Sequence, residues 1–410
     1  MKNFQKNLEK YAELAIKTGV NLQKNQELLI MAPIETADFV RKVAKKAYEA
    51  GAKNVHVEWS DEELTLTKYL LAPDETFETY PLWKAKGYVE MAKEGCGVLS
   101  ISASNPDLLK EVDPKRIASA NKAAALALEE FRDYMQNNKI SWAIISIPTS
   151  SWAAKVFPNS TPEEAVKKLW DAIFHVTRIY EEDPVKAWEE HVTKQNEKLN
   201  LLNKRKYTKL HFKAPGTDLV MELPQDHIWL GADALNEKGH SFIANIPTEE
   251  VFTVPSKYGV NGTVRSTKPL SYHGTLINDF SLTFKDGKVV DFSAETGYET
   301  LENMLETDEG AKYLGEVALV PDDSPISNSN ILFYNTLFDE NASCHFALGS
   351  AYPVCLEGGE NLSKDDLEKQ GCNTSLIHVD FMIGCAHMSI DGEKVDGTLE
   401  PIFRNGNWAL

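Results

Sequence analysis

Cysteine is scarce here and badly spaced for structural chemistry: the 410 residues hold five, Cys96, Cys344, Cys355, Cys372 and Cys385, with no C-x-x-C pair. An odd number at such intervals argues against a disulfide framework or a zinc ribbon and leaves buried, reduced thiols as the expectation. Long apolar runs are missing too. Nowhere do about 18 apolar residues follow one another, and the opening M-K-N-F-Q-K-N-L-E-K has neither an apolar core nor a small-residue cleavage site. The cytoplasm is therefore the expected compartment. Positive charge is the third shortage: 43 Lys and Arg stand against 61 Asp and Glu, a net charge of -18. Such a surface repels phosphate backbones and anionic lipids, so nucleic acid and membrane are poor partners, whereas a cationic group such as a peptide's ammonium end is drawn in. Finally, no G-x-G-x-x-G and no G-x-x-x-x-G-K-[ST] follows any strand-like run. That removes positive support for a nucleotide site.

What is present divides into two textures. Up to about residue 205, helical and strand-like segments alternate: Leu8 to Thr18 and Glu35 to Ala50 have helical periods, while Glu27 to Ala32, Asn54 to Trp59, Gly97 to Ile101 and Trp142 to Ile147 are short apolar runs. That order predicts an α/β domain with a largely parallel sheet. Beyond the basic stretch K-R-K-Y-T-K the chain becomes β-rich, with Asp286-Gly287 between two alternating runs as a strong hairpin signal. A mixed α+β domain over residues 206–410 is expected there, and Ser241 to Ile246 is counted among its strands. Length alone also favours two domains.

Four pieces of the second half carry polar groups where apolar ones belong. In S-L-I-H-V-D-F-M-I-G, His378 and Asp380 share a face if the run is a strand; the plain alternative is a structural His–Asp hydrogen bond. F-D-E-N-A-S-C-H-F-A-L-G resembles a short helix ending at Gly349, with Glu340, Asn341 and His345 in or just before it. A lone helical histidine is more often a packed, hydrogen-bonded residue than a ligand. G-E-V-A-L-V-P offers Glu316, and A-N-I-P-T-E-E-V-F-T-V-P offers Glu249 or Glu250, neighbours that face opposite ways in an extended chain. Each glutamate alone reads as a solvated edge or a cap. Together the pieces supply three carboxylates and two imidazoles, a set suited to Zn²⁺, Co²⁺ or Mn²⁺ rather than Ca²⁺.

With these motifs in order, the chain resembles the aminopeptidase T / aminopeptidase S (PepS) family of two-metal metallo-aminopeptidases. The likeness covers essentially the whole chain and is densest in N-I-P-T-E-E-V-F-T-V-P, S-T-K-P-L, G-E-V-A-L-V, L-F-D-E-N-A-S-C-H-F-A-L-G and I-H-V-D-F-M-I-G. The resemblance implies a homodimer, peptide substrates with a free N-terminus and two divalent ions per chain (Zn²⁺, Co²⁺, Mn²⁺ or Mg²⁺). It places ligands at Glu250, Glu316, His345, His378 and Asp380, with Tyr352 in the active site, and it alone selects Glu250 over Glu249. On this view Glu316 bridges the ions, a metal-bound water attacks, Tyr352 hydrogen-bonds the oxyanion, and Glu340 holds the substrate ammonium or orients His345. Residues 1–205 are expected to serve dimerisation or cleft closing and 206–410 catalysis. Two rivals stand beside this: a two-metal amidohydrolase acting on a non-peptide amide, and a binding or regulatory protein whose C-terminal polar cluster is structural.

Overall fold

Short strands that are apolar on both faces suit a sheet covered by helices on both sides. The structure, a computed structural model, describes residues 3–103, 105–272 and 275–410. In its N-terminal part the strands Asn54–Ser60, Glu27–Pro33, Gly97–Ser102 and Trp142–Ser146 lie side by side in that order. All three pairings are parallel, as an α/β domain requires. Leu28, Ile30, Val98, Leu99 and Ile145 are buried in it, each contributing about 1.5–3 kcal/mol by leaving water. The crossover helix Ala37–Glu49 buries Phe39, Val40, Val43 and Ala47, one stripe of its surface. Gly51, at φ 98°, ends that crossover where a side chain would be strained. Helix Pro162–Val176 starts on a capping box: Thr161 Oγ1 accepts from the Glu164 N–H, and the Glu164 carboxylate accepts from the Thr161 N–H.

After residue 208 the period shortens to two. Lys209–Ala214 buries Leu210 and Phe212 on one face, and it joins an antiparallel sheet of nine strands among the described residues. Asp286 and Gly287, at φ 50° and 81°, turn the hairpin between Thr275–Lys285 and Lys288–Thr296, as a two-residue hairpin loop of this twist requires. A second, four-stranded antiparallel sheet orders His378–Met382, His345–Gly349, Leu314–Leu319 and Val251–Thr253. Phe346 meets Phe212 of the larger sheet edge to face at 5.0 Å, and Phe381 meets Phe280 at 5.5 Å. One face of the small sheet is therefore packed on the large one, and its other face is free to carry chemistry.

Two expectations need correcting. The segment expected to be a helix ending at Gly349 is a helical turn, Thr336–Asp339, a tighter turn, Glu340–Ala342, and then the strand His345–Gly349. Every residue of that strand is buried, so the run has no period to distinguish strand from helix, and its two neighbours decide. The chain also divides elsewhere than near residue 205. One compact unit comprises residues up to His191 plus Asp233–Pro247, the other Val192–Ala232 plus Thr248–Leu410. Helix Pro184–Arg205 crosses the division without a break. Ser241–Ile243 pairs with Asp233–Leu235, and Asn245 then bridges Ile144 in parallel, which takes this segment into the first unit. Among the described residues no helix is long and apolar enough to cross a membrane.

Candidate metal centre

Side chains facing one way on an antiparallel sheet form rows across its strands. Glu316 pairs with Ala347, and Ala347 pairs with Asp380, so two carboxylates flank a methyl group on one face. His345 lies two residues from Ala347 and His378 two from Asp380, which puts both imidazoles on that face. Phe252 pairs with Ala318, and Ala318 with His345; Glu250, two residues before Phe252, extends the row from the fourth strand. The register depends on a bulge at Gly315, since Leu314 pairs with Leu348 yet Glu316 pairs with Ala347. A Cβ at Gly315 would stand 2.4 Å from the Ser350 oxygen and 2.5 Å from the Gly349 oxygen. Any side chain there would part the strands and turn Glu316 away.

The five heads converge around Glu316. Its Oε1 lies 3.7 Å from His345 Nε2 and its Oε2 3.5 Å from His378 Nε2. Glu250 Oε2 is 2.9 Å from His345 Nε2, and Asp380 Oδ1 is 3.5 Å from His378 Nε2. Two ligand-like groups result, Glu250–Glu316–His345 and Glu316–His378–Asp380, each with donor atoms within 4.8 Å of one another. They share Glu316. Each imidazole is oriented from behind: His345 Nδ1 is 3.1 Å from the Ser343 carbonyl oxygen and His378 Nδ1 2.6 Å from that of Ser350. A carbonyl can only accept, so Nδ1 carries the proton, and Nε2 of a neutral ring turns its lone pair to the carboxylates.

That arrangement calls for cations. Glu250 Oε2 and Asp380 Oδ1 are buried without a hydrogen bond, and the short His345–Glu250 approach lacks hydrogen-bond geometry. Without metal, protons fill the deficit. Burial pushes the Glu316 carboxyl up to about 7. Burial pulls His378 down, but Asp380 and Glu316 outweigh it and lift the ring to about 9; His345 is raised likewise by Glu250 and Glu316. Burial alone would raise Asp380, yet the two imidazoles hold it below the usual carboxylate range. Orphaned buried oxygens, lone pairs aimed at carboxylates and a mixed oxygen and nitrogen donor set fit divalent transition-metal ions.

The remaining sequence candidates lie at the same place. The Tyr352 ring is 4.8 Å from that of His378, and burial, then the charges of Glu316 and Asp380, keeps its hydroxyl protonated. Glu340 is buried, and burial together with Asp380 and Glu250 raises its carboxyl well above the normal range. Of the adjacent glutamates it is Glu250 whose carboxylate meets His345. Sequence reasoning missed the bulge at Gly315 and the two carbonyls that aim the histidines. No residue type marks a carbonyl, but a glycine one position before an acidic residue in a buried strand was a usable sign.

A family model described as thermophilic metalloprotease (M29) matches residues 4–408. Aminopeptidase 2 of Geobacillus stearothermophilus is 56% identical over 410 residues, covering 100% of this chain and 99% of that protein. Aminopeptidase PepS of Streptococcus thermophilus is 44% identical over 409 residues, with 100% and 99% covered. The solved structure of wild-type AmpT from Thermus thermophilus superposes with a TM-score of 0.93 at 43% identity, covering 99% of this chain and 100% of that one. Likeness of this extent, over a centre built from carboxylates and imidazoles, leaves one assignment: the chain belongs to the M29 family of metalloproteases.

Proposed function

We propose that this chain is an aminopeptidase that removes N-terminal residues from peptides at a centre of two divalent ions. The observation that carries the reading is Glu316, whose two oxygens face two different histidines. Glu250 and His345 would complete one ion's ligands and His378 and Asp380 the other's, Glu316 serving both. When bound, such ions polarise the scissile carbonyl and acidify water. The protein's own groups do the rest. Tyr352, held protonated, donates a hydrogen bond to oxygen as charge develops on it. Glu340 supplies a buried carboxyl for the substrate's ammonium group, which suits an enzyme that requires a free amine. Zn²⁺ or Co²⁺ fits the donors best. A cytoplasmic homodimer completes the reading on the strength of the family resemblance.

The test is hydrolysis of leucyl and arginyl p-nitroanilides beside their N-acetylated forms, after dialysis against chelator and re-addition of Zn²⁺, Co²⁺, Mn²⁺ or Mg²⁺. Activity should return with metal and only on the free amines. Equal rates on the acetylated compounds would instead favour an amidohydrolase of broader scope.

A further inference from the structure

Glu250 has a weakness the other candidate ligands lack. Strand pairing to Leu314–Leu319 begins at Val251, so the ladder does not hold the backbone at residues 249 and 250. Something else fixes it. Asn341, fully buried, accepts a 2.7 Å hydrogen bond from the Glu249 N–H through Oδ1. Its Nδ2 donates to the Leu337 carbonyl at 3.2 Å and to Glu340 Oε1 at 3.3 Å. The amide orientation is unambiguous, because a flip would face oxygen to oxygen and nitrogen to N–H. One side chain thus ties the segment carrying Glu250 to the turn Glu340–Ala342, 92 residues away in sequence.

We infer that Asn341 is a positioning residue of the metal centre: by accepting from Glu249 it sets where the Glu250 carboxylate stands, and by donating to Glu340 it fixes that carboxyl beside it. An asparagine suits both tasks, since it accepts on one arm and donates on the other. Leucine has a similar branched shape, though larger, but neither arm; aspartate keeps the acceptor alone. The inference rests on Glu250 being a ligand, and the experiment separates the two ideas.

Zn²⁺ affinity is measured by chelator competition on the metal-free full-length chain, for wild type, E250Q, N341L, N341D and the double variant N341L/E250Q, with folding followed by circular dichroism. The expected result is a ten- to hundredfold loss of affinity for one ion in N341L, near wild-type affinity in N341D, and no further loss when N341L is added to E250Q. Wild-type affinity in folded N341L overturns the inference, as does an equal loss in the E250Q background, which would mark a purely structural residue. Should N341L fail to fold, N341D decides: a tenfold loss there overturns the acceptor role, and retention supports it. If wild type binds no Zn²⁺, or E250Q binds as wild type does, the ligand reading itself fails and takes the inference with it.

Discussion

Two sheets of this protein are each four strands wide, and they use burial in opposite ways. The parallel sheet of the first unit fills its strands with Leu28, Ile30, Val98, Leu99 and Ile145, side chains whose removal from water stabilises the fold. The antiparallel sheet of the second unit buries Glu316, His345 and Asp380 on strands just as short. Ionised groups placed there without partners cost several kcal/mol each, and the remaining face, packed through Phe346 and Phe381, offsets them. A buried strand can therefore hold a fold together or hold a charge ready.

The sharpest way to break this contrast is Glu316→Gln. Loss of the shared carboxylate should lower kcat/KM by on the order of a thousandfold or more, while the metal-free variant melts a few degrees higher because a buried acid is gone. A metal-free E316Q protein that melts lower than wild type would show the carboxyl to be structural. Tyr352→Phe tests the same centre from beside its candidate ligands. Metal content should stay at the wild-type level, with kcat reduced about 10²–10³-fold; a variant that loses metal instead would make Tyr352 a ligand.

How much of this was legible beforehand differs between the sheets for a physical reason. The parallel strands announced themselves because apolar runs between helical periods have few other solutions, and all four were expected close to where they lie. His378 and Asp380 were legible because a strand has period two. His345 was named as a candidate on the wrong kind of element, since a fully buried strand of five residues carries no alternation. The division of the chain was misplaced because it falls within a continuous helix, and because Asn245 is recruited by Ile144, a contact across about 100 residues that no local pattern encodes. Glu250 came from family resemblance; the register of Phe252 with Ala318 and the Glu249 N–H bond to Asn341 explain it physically.

Leu99→Ala, in the apolar sheet, is the converse experiment. Leu99 is wholly buried, so truncation should cost about 2–5 kcal/mol by denaturant unfolding, with metal affinity and kcat of the folded protein unchanged. A change in affinity would mean that the two sheets are energetically coupled and the contrast is too simple.

The smallest effect is the most diagnostic. In the metal-free protein His378 is lifted to about 9 and Glu316 to about 7, against unfolded values near 6.5 and 4.3. Both groups bind protons more tightly folded than unfolded. The stability His378 contributes is complete below about pH 6.5 and disappears as pH rises through 9. Glu316 acts in the same sense between about 4.3 and 7. Asp380, held low, acts oppositely, losing its contribution only as pH falls through its folded value in acid. Metal-free protein should thus weaken from pH 6.5 to 9, with a slope of at most about 1.4 kcal/mol per pH unit for each proton. Metal-loaded protein should not, because the ions replace those protons and bind better as the ligands deprotonate. Denaturant melts of both forms at the two pH values measure the difference, and parallel slopes would mean that the protons and the metal do not share one site.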